Sequence, residues 1–136
     1  MLTQFRVSTI LPRKLGDLGV PPALVLSRAG LPPSLFDTER ILVSTEELFA
    51  LYRGIAEASR DAAIGLKLGA EDRVERYDPI TLAALSAKSL RDALARLARY
   101  KQLTCPEAVE VTERGDEARV LFRWLLAEET EPPVLI

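Results

Sequence analysis

Arg76 and Tyr77 stand side by side in the polar run EDRVERYD. A guanidinium fork beside a phenol suits a small ligand that carries a carboxylate or a phosphate. The plainer reading of the pair is a solvated loop, where charged residues usually sit. Trp124, in the alternating segment ARVLFRWLLA, would line a ligand pocket or fill a core, since aromatic side chains serve both uses. Arg91, Arg96, Arg99 and Lys101 recur along one segment. They would meet an anionic ligand or an acidic partner surface, or form the wet face of an amphipathic helix. Cys105 would be a redox sensor only with an accessible, acidified thiol, and the run Thr104-Cys105-Pro106 demands neither. The carboxylate pairs Glu46-Glu47 and Glu128-Glu129 fall at helix caps and chain ends, whereas general acid–base pairs belong in clefts.

The absent residue types exclude more than the present ones suggest. There is no histidine and only one cysteine. Ser-His-Asp and Cys-His catalysis, structural zinc sites of the usual nitrogen–sulfur type and histidine-ligated haem are therefore excluded. No group stands out as a nucleophile with its base, so the chain reads as a non-enzyme with no metal and no cofactor. Eighteen basic and twenty acidic residues leave a net charge of −2. This is not the basic excess with which a domain neutralises nucleic-acid phosphates. The opening MLTQFRVSTILPRKLG lacks the apolar run of a signal peptide. No stretch approaches the ~20 apolar residues that span a bilayer. A cytoplasmic protein without membrane contact is expected, and the lone cysteine suits a reducing compartment.

The elements that must position these residues follow from periodicity and caps. Residues 1–13 read as extended or irregular. Pro21 and Pro22 then open a short helix over residues 23–29, which Gly30 closes. The clearest helix lies in VSTEELFALYRGIAEASRD. Ser44 is its N-cap, Glu47 completes a capping box, and Leu48, Leu51, Tyr52, Ile55 and Ala56 form one apolar face. A second short helix through Ile64, Leu66 and Leu68 follows, and Pro79 opens another. In SLRDALARLARYKQLT, Ser89 is the N-cap, and Leu90, Ala93, Leu94, Leu97 and Tyr100 make the apolar stripe. The period then changes from 3.6 to 2. EAVEVTE and ARVLFRWLLA alternate around Gly115, the pattern of a β-hairpin.

An isolated hairpin is marginal in water and needs further strands or a covering helix. The fold expected is therefore α+β: a mostly helical N-terminal part packed on a small antiparallel sheet that starts near residue 107, with further strands beyond Ile136. Residues 1–136 read as one domain, or a fragment of one.

Four segments in order resemble a known family: SRAGLPPSLFD, then VSTEELFALYRGIAEASRD, then AAIGLKLG, then SLRDALARLARYKQLT followed by the hairpin. Together they resemble the N-terminal arabinose-binding-like domain of AraC-type bacterial transcription regulators, from about Leu18 to Leu126. The third segment matches the family's Gly-Leu-x-Leu-Gly, and the fourth its Leu-x-x-Ala-Leu-x-x-Leu-x-Arg-Tyr pattern. Where the family often carries a glycine-rich segment, this chain has RVERYDPITLAALSA, without glycine. The resemblance implies a domain that senses a small effector, forms a homodimer, or both. It implies contact with DNA only through helix-turn-helix units that this chain lacks. Arg76, Tyr77 and Trp124 are then the candidate effector contacts. The competing reading is a pure oligomerisation module without a small-molecule ligand.

Overall fold

The computed structural model describes residues 2–70 and 77–128. Among these residues the chain forms six α-helices and two two-stranded antiparallel sheets, an α+β fold. In chain order they are β1 (Phe5–Val7), α1 (Leu11–Asp17), α2 (Pro22–Ala29), β2 (Ile41–Val43), α3 (Thr45–Ser59), α4 (Ile64–Gly69), α5 (Pro79–Leu85), α6 (Leu90–Thr104), β3 (Glu107–Arg114) and β4 (Glu117–Trp124). They divide into two compact units, one carrying β1 through α4 and the other α5 through β4.

The first unit is built around α3. Its cap forms as the sequence predicts: Glu47 N–H donates to Ser44 Oγ at 3.1 Å, and Ser44 N–H donates to Glu47 Oε2 at 2.7 Å. This reciprocal pair satisfies two donors that the first helical turn leaves without partners. The buried face of α3 differs from the expected stripe. Leu48, Leu51 and Ile55 are buried, but so are Thr45, Phe49 and Gly54, while Ala56 is exposed. The face has turned toward α2 for a steric reason. A Cβ on Gly54 would stand 2.6 Å from the Val25 carbonyl oxygen and 3.0 Å from Ala29 Cβ. Glycine at 54 is what lets the two helix backbones approach. Helix α2 begins with Pro22 in its first turn and ends at Gly30 with φ 65°, as its punctuation predicts.

Residues 1–13 are more regular than expected. Phe5, Arg6 and Val7 pair with Val43, Leu42 and Ile41, and α1 begins at Leu11, with Leu15 fully buried. The first sheet thus joins the N-terminal segment to the strand that leads into the α3 cap. Lys14 Nζ donates to the Leu68 carbonyl at 2.9 Å, tying α1 to the last turn of α4.

In the second unit, Asp78 caps α5 by accepting from the N–H groups of Ile80 and Thr81, and Ser89 caps α6 by accepting from Asp92 N–H. Helix α6 packs on β3, and α5 packs on α6. The β-hairpin begins at Glu107 and runs in unbroken register from Glu107↔Trp124 to Arg114↔Glu117. It turns through Gly115, whose φ of 60° suits glycine. Leu126 lies beyond β4, exposed.

The two units bury their side chains very unequally. Leu15, Val25, Ile41, Val43, Phe49 and Leu51 are fully buried in the first. In the second, only Cys105, Pro106, Glu107 and Val109 are buried among the described residues. Helix α6 has no buried residue, and Leu85, Leu90 and Leu103 are each more than 60% exposed.

Candidate functional site

The second unit gathers most of the residues that the sequence singles out. Paired residues of antiparallel strands share a face. Glu107, Val109, Val111 and Glu113 of β3 therefore lie with Trp124, Phe122, Val120 and Ala118 of β4 on one side of the hairpin. Helix α6 lies on β3 and is pinned to it near both ends. Arg91 makes a two-pronged ion pair with Glu113, Nε to Oε1 at 2.7 Å and Nη2 to Oε2 at 2.8 Å. Lys101 Nζ reaches Glu107 Oε2 at 2.8 Å. The ten-residue separation on the helix spans about 15 Å. The six-residue separation on the strand spans about 20 Å. The two lengths are close enough for long side chains to close both pairs.

The pairs differ in environment. The Arg91 and Glu113 side chains are largely exposed, and the carboxylate raises the already high guanidinium pKa. Glu107 is only 4% exposed, so Lys101 is its neutralising partner in a nearly closed setting. Cys105 lies beside this pair, with Sγ 3.9 Å from Glu107 Oε2. Burial pushes its thiol pKa up; Lys101 pulls it down, and the negative Glu107 adds to the rise. The thiol is thus the reverse of an acidified sensor.

An open cleft of about 300 Å³ lies between the start of α6 and the hairpin turn. Ser89, Leu90, Arg91 and Leu94 form one wall, and Val111, Glu113 and Gly115 to Ala118 form the other. Leu90, Leu94, Val111 and Ala118 give it apolar lining, and Arg91, Glu113, Asp116 and Glu117 give it charged lining. Its guanidinium is already engaged by Glu113.

The three residues read as ligand contacts are distributed differently. Arg76 lies outside the described residues. Tyr77 is half-buried and precedes the α5 cap. Trp124 is half-buried at the last position of β4, opposite Glu107. Neither Tyr77 nor Trp124 borders the cleft. The basic row is less wet than its helix pattern suggests: Arg96 Nη1 donates to the Ala83 carbonyl at 2.9 Å and to Ser86 Oγ at 3.0 Å, joining α6 to α5. Glu107 and Glu113 were not singled out from sequence. Strand alternation places them on the same face as Val109 and Val111, and that was the available signal. In the first unit, Glu47 serves the α3 cap and Glu46 Oε1 accepts from Glu128 N–H at 2.7 Å. Glu129 lies outside the described residues.

Among the described residues, no group of three or more cysteine, aspartate or glutamate side chains is placed to hold a metal ion. No helix among them is long and apolar enough to cross a membrane.

Uncharacterized HTH-type transcriptional regulators of Mycobacterium bovis and Mycobacterium tuberculosis are each 30% identical to this chain over 107 residues. The match covers 76% of this chain and 31% of each relative, so the chain spans about a third of their length. No solved structure matches the chain. The family match is broader, extending over residues 19–135, and on it the chain belongs to the family of the N-terminal arabinose-binding domain of AraC transcription regulators.

Proposed function

We propose that the chain is the effector-sensing and dimerising N-terminal module of a cytoplasmic bacterial transcription regulator, and that it has no catalytic role. In this reading residues 1–136 are one regulatory domain or a fragment of one. DNA is contacted only by helix-turn-helix units elsewhere in the full-length regulator. The observation that carries the reading is the unequal burial. The first unit has a closed core, whereas the second leaves Leu85, Leu90, Leu103, Leu121 and Phe122 exposed around one hairpin. These side chains lie on α5, on α6 and on both faces of the hairpin, and covering exposed apolar surface with a ligand or a second chain is favourable. Effector binding would favour one arrangement of that unit over another and so alter how attached DNA-binding units are presented. Tyr77, Arg76 and Trp124 are the proposed effector contacts, the aromatic rings for apolar contact and Arg76 for an anionic group.

The test is thermal unfolding of the chain with L-arabinose, then with other sugars and small carboxylates, beside sedimentation velocity over a range of concentrations. A ligand that binds only the folded state stabilises it by RT ln(1 + L/Kd) at free ligand concentration L, so the midpoint rises with ligand concentration. A shift with one compound that Tyr77→Ala or Trp124→Ala abolishes supports the sensing role. Concentration-dependent mass with no shift favours pure oligomerisation, a reading that the openness of the cleft also suits. A constant monomer mass with no shift overturns both.

A further inference from the structure

We propose that the outer edge of β4 is the self-association surface of this chain, pairing antiparallel with β4 of a second copy about a twofold axis at Val120. The inference rests on the dimerising role proposed above and assigns it a place and a register. Strand β4 is the exposed member of its hairpin, with Glu117, Ala118, Arg119, Leu121, Phe122 and Arg123 all exposed. Among the described residues, no strand pairs with its other edge. The strand has eight residues, no proline and no bulge. Soluble proteins blunt such an edge with proline, a bulge, a very short strand or charged side chains, because an open row of N–H and C=O groups is a template for another strand. Strand β4 carries only the last of these, in Glu117, Arg119 and Arg123, so its charges select which strand can pair.

The register follows from the turn. Gly115 and Asp116 form a two-residue loop, so Arg114 and Glu117 close the hairpin as a hydrogen-bonded pair. Bonded pairs alternate with unbonded ones. Ala118, Val120 and Phe122 therefore aim their backbone groups away from β3. A second β4 must match these residues with their own counterparts, which allows twofold axes only at a residue, not between residues.

Charge then separates the remaining choices. An axis at Leu121 sets Arg119 against the partner's Arg123, twice. An axis at Arg119 sets that residue against its own copy. An axis at Val120 sets Glu117 against the partner's Arg123, twice, and aligns residues 117–123 throughout. An axis at Phe122 opposes no like charges but aligns a shorter stretch and uses neither charge pair. With the axis at Val120, Ala118 faces the partner's Phe122 and Val120 faces its own copy. The apolar face of the hairpin then continues across the axis. Phe122, now 49% exposed, gains a neighbour. Arg123 already pairs with Glu110 on β3, so the charged face continues across the axis as well.

The test uses the full chain and its single variants Glu117→Arg and Arg123→Glu, by sedimentation velocity. Each single variant puts like charges at both symmetric positions, and its self-association should weaken roughly tenfold or more. Mixing the two variants restores both opposite-charge pairs. The mixture should therefore associate as tightly as wild type, which also shows that each variant is folded. Val120→Pro removes an outward N–H without touching the bonds to β3, and should weaken association in either background. If the wild-type chain associates and these variants associate equally well, or the mixture shows no recovery, the β4 interface is overturned while the dimerising role stands. If the wild-type chain stays monomeric throughout, both fall.

Discussion

Lys101 and Glu107 meet at 2.8 Å where the last turn of α6 gives way to β3, and they do so with Glu107 almost closed from solvent. A tight bend at Cys105 and Pro106, in which Glu107 N–H donates to the Cys105 carbonyl at 2.8 Å, brings them together. Removing one member of a buried pair strands the other, whereas replacing both with apolar groups does not. Lys101→Ala is expected to destabilise the second unit by about 2–3 kcal/mol, near the low end for buried pairs because the lysine is partly wet. Lys101→Met with Glu107→Leu should cost clearly less. Arg91→Ala, at the exposed pair, should leave stability nearly unchanged. Urea unfolding followed by fluorescence distinguishes these outcomes, since Trp124 is the only tryptophan and lies in this unit.

Gly54→Ala should destabilise the first unit by about 1–3 kcal/mol, the usual cost of overpacking a tight contact. The added methyl meets the Val25 carbonyl oxygen, a backbone atom that cannot swing aside. Helix propensity alone predicts the opposite sign, because alanine is the better helix former. A fall in the thermal midpoint by circular dichroism confirms the close approach of α2 and α3, and a rise refutes it.

Cys105 should react with thiol reagents only slowly in the native protein. Burial pushes its thiol above the usual value of 9.0, so little thiolate exists near neutral pH. The folded pKa is the higher one. Its contribution to stability is therefore fully present below the unfolded thiol's pKa and lost as pH rises through the folded value. Cys105→Ala should flatten the alkaline end of the stability–pH profile, and an unchanged profile argues against the buried setting.

Asp78→Ala should shorten or fray α5 and cost about 1 kcal/mol, the usual value of an N-cap. Burial pushes the Asp78 carboxyl up, but the bonds from Thr81 and Ile80 outweigh it and hold the group below its ordinary 3.8. The folded pKa is the lower one. This contribution is thus present above pH 3.8 and lost as pH falls through the depressed value. Acid titration of the wild type and of Asp78→Ala, followed by circular dichroism, should converge at the acid end.

The local elements were legible in the sequence. The Ser44–Glu47 box, the Ser89 cap, the stop at Gly30 and the hairpin around Gly115 each depend on residues within a few positions of one another. Backbone geometry and hydrogen bonding act over that range without help from the rest of the fold. Periodicity likewise marked α3 and α6 as amphipathic, and the order of the segments marked the family. The tertiary structure decided whatever joins residues far apart along the chain. Residues 1–13 do not announce that Phe5 will pair with Val43, because three residues of strand carry too little pattern until their partner is in place. Nothing near Gly54 names the Val25 carbonyl it must clear, so the buried face of α3 was read slightly off its true direction. Arg91 and Lys101 look like ordinary wet cations on a helix, and only the packing of α6 on β3 turns them toward Glu113 and Glu107. Sequence alone therefore determines the long helices, their caps and the hairpin, since those choices are settled by near neighbours, whereas β1, β2 and α1 emerge only with their partners in place. Which charges are neutralised, which glycine is indispensable and which edge is left open depend on where distant segments come to rest.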